Sequence, residues 1–403
     1  MITLFGAPLE FYLFGLTLLG VAVFHRRTLE VALVGLVAVL LYQGFVGAFP
    51  TGHGLPALAQ HFAHEWVILS NILLLLVGFE VLSNQFEKSA LPDHMPGVLP
   101  DSWLGGLALL AIVFVLSAFL DNIAAAVIGG VMARHLYQGR VSIGFLASIV
   151  AAANAGGAGS VIGDTTTTLM WLRGVSPLEV LPAFVASFAA FAVFGVLGAR
   201  AQQRHQPIQE RDEPGHPIEW RRVAIVAIVL ASAVAANVAA NTLSKGEELA
   251  PWLGLAVWAA LLATSLIAKP DWSVARPAFK GALFLVALVA TASLMPVGSL
   301  PEPSWQTAFG LGFLSAVFDN IPLTALALEQ GGYDWGLLAY AVGFGGSMVW
   351  FGSSAGVALT NLYPEGRSVV AWLRQGWHVP VAYVVGFLVL LALLGWNPDV
   401  SPR

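Results

Sequence analysis

The chain contains no cysteine, which excludes disulfides, thiol nucleophiles and thiolate metal sites. It is also poor in charge. Asp, Glu, Lys and Arg make up only 10% of its 403 residues, where a soluble domain carries about 25%. The deficit runs along the whole length, so a soluble domain on a single anchor is excluded. No basic cluster offers a nucleic-acid surface. The histidines do not gather with the acids, and no nucleophile–base pair stands out, so an enzyme is not expected. The alternating pattern of an outer-membrane barrel is missing as well.

What the chain does have is apolar sequence, 58% of it, arranged in runs close to the ~20 residues that cross a bilayer as helix. The expected spans are 9–24, 29–49, 66–84, 142–173, 177–199, 223–242, 251–268, 278–298, 336–361 and 377–396. The first is read as a retained span and not a signal peptide. Glu10 opens it, and Arg26-Arg27 follow it instead of preceding it. The 42 glycines and 22 prolines are tolerated in membrane helices, where neighbours and cavities satisfy the freed backbone groups. The tryptophans lie mostly near span ends, as interface anchors do.

Two more apolar segments, 103–137 and 304–331, carry Asp121-Asn122 and Asp319-Asn320 near their middles. Positive charge decides whether they cross, because Lys and Arg collect in cytoplasmic loops. Suppose both are re-entrant hairpins and Arg26-Arg27 are inside. Then, of the 18 basic residues, only Arg173, Lys245 and Arg403 fall outside. Full crossings would put the arginines of 200–222 and the cluster at 269–280 on the wrong side. The expected fold is therefore an all-α polytopic membrane protein of about 10 spans. It has two re-entrant hairpins and two broken helices, lies in a bacterial inner membrane and has both termini periplasmic.

The same order of elements occurs twice. Residues 29–199 read span, span, hairpin (103–137), broken helix (142–173), span. Residues 251–403 repeat that order, with hairpin 304–331 and broken helix 336–361, but start from the opposite side. Residues 1–28 add a span, and 200–250 supply a polar cytoplasmic loop and a linking span. Inverted repeats with broken helices are the architecture of alternating-access carriers.

Each broken helix is glycine-rich. The interval from Gly156 to Gly163 equals that from Gly345 to Gly352, so Asp164 corresponds to Ser353 and Thr165 to Ser354. A hard cation such as Na+ takes oxygen ligands. Asp121, Asp164 and Asp319 offer carboxylates. Asn122, Asn154, Asn320, Thr166, Thr167, Ser347, Ser353 and Ser354 offer neutral oxygens. No Lys or Arg falls in the breaks or deep in the hairpins. A carboxyl group in an oily interior without a cationic partner keeps its proton until a cation displaces it, and intramembrane acids are functional by default. Competition between Na+ and H+ at one site, combined with alternating access, amounts to exchange.

Blander readings stand beside these. An Asp-Asn pair is ordinarily a turn or a helix cap, and Gly-Gly stretches serve close helix packing. Members of Thr165–Thr168 can bond helix carbonyls. Glu80, within an apolar span, suits a proton relay or an interface position equally. His53, His61 and His64 read as outer-surface residues.

The stretches SAFLDNIAAAVI, AAANAGGAGSVIGDTTTTLMW, AVFDNIPLTA and GFGGSMVWFGSSAGVAL resemble those of NhaD-type sodium/proton antiporters, in the wider ion transporter superfamily of ArsB/NhaD-like permeases. The resemblance covers about 100–175 and 305–395. It implies the superfamily fold, a homodimer, and movement of Na+, often also Li+, against H+ with no cofactor. Carried onto matching positions, it points to Asp121, Asn154, Asp164, Thr166 and Thr167, and to Asp319, Asn320, Ser347, Ser353 and Ser354. The metal-binding set read for Na+ is Asp121, Asn154, Asp164, Thr166 and Asp319. The alternative is a sodium- or proton-coupled carrier of carboxylates such as citrate, or of oxyanions, from the same superfamily. Two acidic hairpin tips would repel such anions and favour cation exchange.

Overall fold

The computed structural model describes the chain except residues 1, 2, 5, 6, 25, 26, 47, 50, 51, 92–98, 121, 209–216, 244–249, 297, 298, 319 and 400–403. The described residues are overwhelmingly helical. Two ladders of two-residue strands pair Thr3–Leu4 with Ala7–Pro8 and Ala48–Phe49 with Gly52–His53.

The helices are, in order, α1 (Leu9–Val23), α2 (Thr28–Phe45), α3 (Gly54–Glu87), α4 (Trp103–Ser117), α5 (Asn122–Leu136) and α6 (Ile143–Gly157). There follow α7 (Thr165–Leu172), α8 (Ala183–His205), α9 (Trp220–Leu243), α10 (Trp252–Thr264), α11 (Ala275–Ala292) and α12 (Trp305–Ser315). The last are α13 (Asn320–Gln330), α14 (Trp335–Gly345), α15 (Ser354–Leu362), α16 (Val369–Gln375) and α17 (His378–Leu394).

Among the described residues, four helical stretches are long and apolar enough to cross a membrane: Thr28–Phe45, Gly54–Phe86, Pro177–His205 and Trp272–Ala292. The pair α16 and α17, bent by 61°, makes a fifth if it counts as one span. Leu9–Val21, α4, α5, α6 and α10 are apolar but shorter. Large apolar side chains such as Leu41, Leu178, Leu266 and Val370 are exposed. Such a surface suits lipid, since soluble monomers rarely expose wide apolar patches. The chain is a multi-pass membrane protein. The segments 142–173 and 336–361 are each interrupted, the first between Gly157 and Thr165, the second between Gly345 and Ser354.

Two compact units divide the chain. The first comprises Met1–Leu82, Ala227–Glu302 and Ile321–Gln330. Within it α1 packs on α2, with Gly35 admitting Thr17 and Gly20 admitting the Val31 side chain. α11 also packs on α2, and Gln43 Nε2 donates to the Leu294 carbonyl at 2.9 Å. α10 is tied to α3 by Gly254 N–H to Asn71 Oδ1 (3.0 Å) and by Trp258 Nε1 to the Leu74 carbonyl (2.9 Å). His61 is half-buried and bonded to Ser293 Oγ at 3.0 Å, and His64 is exposed. The side chain of His53 lies outside the described residues. Glu80 is half-buried on α3.

The second unit comprises Ser83–Val226, Pro303–Asn320 and Gly331–Arg403. Its centre is made of the two half-helices α6 and α14. Every residue of α6 from Gly144 onward and every residue of α14 is buried. A helix covered on all sides has to be largely apolar, and both are built mostly from Ala, Gly, Leu, Ile and Val, with Ser148 and Asn154 as polar members of α6. Small residues let neighbouring backbones approach, which is how helices pack where water supplies no driving force. α6 lies among α4, α5 and α8, and α14 among α12, α8 and α17. Gln202 at the end of α8 fixes the entry to α6. Its Oε1 accepts from Ser142 N–H at 2.8 Å, and its Nε2 donates to the Arg140 carbonyl at 3.0 Å.

Candidate ion site

The site is assembled where α6 and α14 stop. Beyond α6 the chain turns through 158–163 before Asp164 caps α7; its Oδ1 accepts from Thr166 N–H at 3.2 Å. Beyond α14 a short 3-10 turn, Gly346–Met348, leads to Ser353, which caps α15 by accepting from Gly356 N–H at 3.4 Å. Glycine is required at each break because other backbone lies against it. A Cβ on Gly156 would sit 2.0 Å from the Phe114 carbonyl oxygen, and one on Gly345 would sit 2.2 Å from that of Gly312. A Cβ on Gly163 would meet the Ser117 oxygen at 2.0 Å, and one on Gly352 that of Ala316 at 2.6 Å. Ser117 Oγ donates to the Ala153 carbonyl, and Ser315 Oγ to the Val342 carbonyl. Ser160 Oγ donates to the Ala118 carbonyl at 2.6 Å, tying the first break to the end of α4.

Around these breaks six of the expected residues form one buried network. Asn122 Nδ2 donates to Asn154 Oδ1 at 3.0 Å and to Asp164 Oδ1 at 3.3 Å. Asn154 Nδ2 donates to Ser347 Oγ at 2.9 Å and to Ser353 Oγ at 3.1 Å. Asn320 Nδ2 reaches Asp164 Oδ1 at 3.5 Å. The asparagines of both Asp-Asn motifs therefore converge on one carboxylate oxygen. Thr165 Oγ1 adds a contact to it at 3.3 Å.

The other oxygen is different. Asp164 is 1% exposed, yet its Oδ2 has no hydrogen-bond partner among the described residues. Thr166 Oγ1, also buried, has none either. No Lys or Arg pairs with Asp164 among the described residues.

Two of the threonine hydroxyls donate to the backbone of the break itself. Thr167 Oγ1 donates to the Ser160 and Asp164 carbonyls, and Thr168 Oγ1 to that of Val161. Those hydroxyls hold the broken segment in shape. Ser354 opens α15 beside Ser353. Asp121 and Asp319 lie outside the described residues.

Two participants do not stand out in the sequence. Gly343 borders Asp164 Oδ2, since a Cβ there would stand 3.1 Å from it. The only available signal is its place just before the Gly345-Gly346 pair. Trp372 Nε1 donates to the Ser347 carbonyl at 3.2 Å and so fixes that turn. Nothing in the sequence links Trp372 to a residue 25 positions earlier.

Residues 19–345 match the family model described as "Citrate transporter", CitMHS. The chain belongs to that family. The curated relatives it resembles carry sodium/proton antiporter names, in keeping with the motifs. It is 29% identical over 340 residues to "Sodium/proton antiporter 1" of Arabidopsis thaliana, covering 74% of this chain and 58% of that protein. It is 23% identical over 397 residues to "Na(+)/H(+) antiporter NhaD" of Alkalimonas amylolytica, covering 84% and 80%. It is 26% identical over 351 residues to the protein of the same name from Vibrio parahaemolyticus, covering 73% and 83%. This chain thus spans little more than half the length of the Arabidopsis relative. The CitMHS family and these relatives carry the names of transporters, not enzymes.

Proposed function

We propose that the chain exchanges Na+, and also Li+, for H+ across a bacterial inner membrane by alternating access, with Asp164 as the group that holds cation or proton in turn. The observation that carries the reading is the unequal use of its two oxygens. Oδ1 collects the donors from Asn122, Asn320, Thr165 and the backbone of Thr166, while Oδ2 is buried and has no partner among the described residues. A buried, uncompensated carboxylate oxygen is costly, and either a proton or a metal ion relieves that cost. Asn154, Ser347, Ser353, Ser354, Thr166 and Thr167 belong to the same site in this reading. Asp121 and Asp319 join it through their sequence neighbours Asn122 and Asn320.

The proposal includes the architecture read from the sequence: about 10 spans, re-entrant hairpins 103–137 and 304–331, broken helices 142–173 and 336–361, and periplasmic termini. Its divisions are 1–28, 29–199, 200–250 and 251–403, with the second and fourth as inverted repeats. The matched contacts of Gly156 and Gly345, of Gly163 and Gly352, and of Ser117 and Ser315 support the repeat. The resemblance adds a homodimer.

A second reading, carboxylate transport coupled to Na+ or H+, is favoured by the description of the family model. An acidic centre argues against it, because a carboxylate would repel the substrate. Proteoliposomes with an imposed pH gradient distinguish the two. Addition of Na+ or Li+ should dissipate the gradient, whereas citrate and K+ should not. A response to citrate without one to Na+ or Li+ would reverse the ranking.

A further inference from the structure

The spacing that pairs Ala153 with Val342 and Gly156 with Gly345 also pairs Asn154 with Gly343. The two halves therefore differ at one place beside the site. In the first half an amide side chain projects from α6 and reaches Ser353, the cap of the opposite break. In the second half Gly343 presents no side chain to Asp164, the cap that Ser353 mirrors. There the bare backbone of Gly343 lies close against a buried oxygen that has no hydrogen-bond partner among the described residues. A Cβ on Gly343 would be 3.1 Å from Asp164 Oδ2 and 3.6 Å from Ala158 Cβ. Thr166 Oγ1, a second buried oxygen without a partner among the described residues, belongs to the first turn of the helix that Asp164 caps.

We propose that the cation is seated at Oδ2 against the bare backbone of Gly343 and that Gly343 sets the size of the ion accepted there. The inference rests on the exchange reading above. A hard cation needs its oxygen ligands at roughly 2.0–2.6 Å, the smaller ion at the shorter end. A methyl carbon 3.1 Å from Oδ2 crowds an ion bonded to that oxygen. A proton sits within the oxygen's own radius and is hardly disturbed. Li+ bonds more closely than Na+ and loses less. Gly343 lies inside α14 with ordinary helical backbone, so alanine fits its conformation. Its Cβ would meet only the Asp164 side chain and Ala158, which can yield by a few tenths of an ångström.

The test is Gly343→Ala in proteoliposomes, with gradient dissipation titrated with NaCl and separately with LiCl. The half-saturating Na+ concentration should rise about tenfold or more and that of Li+ by less than about threefold, since one carbon of misfit in a pocket discriminates roughly 10–200-fold. Binding is read independently in detergent, from the rise in thermal midpoint with each salt. Equal movement of the two ions, or none, overturns the inference. Thr166→Val supplies a second variant should the first misfold. It removes the hydroxyl oxygen beside the seat and should raise half-saturating Na+ by about tenfold; unchanged Na+ dependence would place the seat elsewhere. Asp164→Asn separates the two levels. Full Na+ exchange in that variant defeats the exchange reading itself, whereas an inactive Asp164→Asn with an indifferent Gly343→Ala defeats only the role given to Gly343.

Discussion

A carboxylate that caps a helix ordinarily spends its lone pairs on backbone N–H groups, and Asp164 does so with Oδ1 alone. Its role as a cap leaves half of the side chain unaccounted for. That division makes Asp164→Asn an informative change. The amide oxygen can take the place of Oδ1 and still accept from Asn122, Asn320 and Thr166 N–H. The amide nitrogen takes the place of Oδ2, where no donor needs an acceptor among the described residues. The variant should insert and fold, with a thermal midpoint close to the parent's, and should lose Na+-dependent proton movement altogether. Transport by reconstituted variant protein checks it, and parental activity there would remove Asp164 from the ion path. Asn154 is legible as a site residue because an amide inside a run of Ala and Gly is conspicuous. The bare backbone at Gly343 is not, because a missing side chain acquires meaning only from the oxygen it faces.

Helices α6 and α14 are visible in the sequence as apolar runs, and their ends as the glycine intervals that repeat between them. How close the flanking helices come is hidden. Gly156 and Gly345 touch the backbones of α4 and α12, contacts set by pairs far apart in the chain. The segment 362–376 falls between two expected spans and has no helical pattern of its own. It nevertheless contains α16, whose seven residues are too few for hydrophobic periodicity to register and which meets α17 at 61°. The packing of glycine can be tested by contrast. Gly281, in α11, has nothing within 4 Å of where a Cβ would stand, so Gly281→Ala should gain about 0.5–1 kcal/mol from helix propensity alone. Gly156→Ala drives a methyl into the Phe114 carbonyl and should lose about 1–3 kcal/mol or more. Unfolding of the purified variants in detergent should show shifts of opposite sign; a Gly156→Ala variant as stable as its parent would mean that the contact between α4 and α6 is looser than described.

At the scale of the whole molecule the decisive asymmetry is in charge. The five-helix segments proposed as repeats carry similar motifs, and their sidedness rests on where Lys and Arg lie. Arg134 and Arg140 lie at and just beyond the end of α5 and are exposed. If α4 and α5 form a hairpin, these arginines return to the side where α4 began. If they form one crossing, the arginines emerge opposite. Glu302, exposed ahead of α12, belongs to the opposite side in the hairpin topology. Because the chain has no cysteine, single replacements report cleanly. Arg140→Cys in intact cells should be protected from a membrane-impermeant thiol reagent and become reactive after permeabilisation, while Glu302→Cys should react from outside in both conditions. Labelling of position 140 from outside would turn the first hairpin into a full crossing and place the arginines of 200–222 against the positive-inside bias. It would also remove the inverted relation between the two halves, on which alternating access to Asp164 depends.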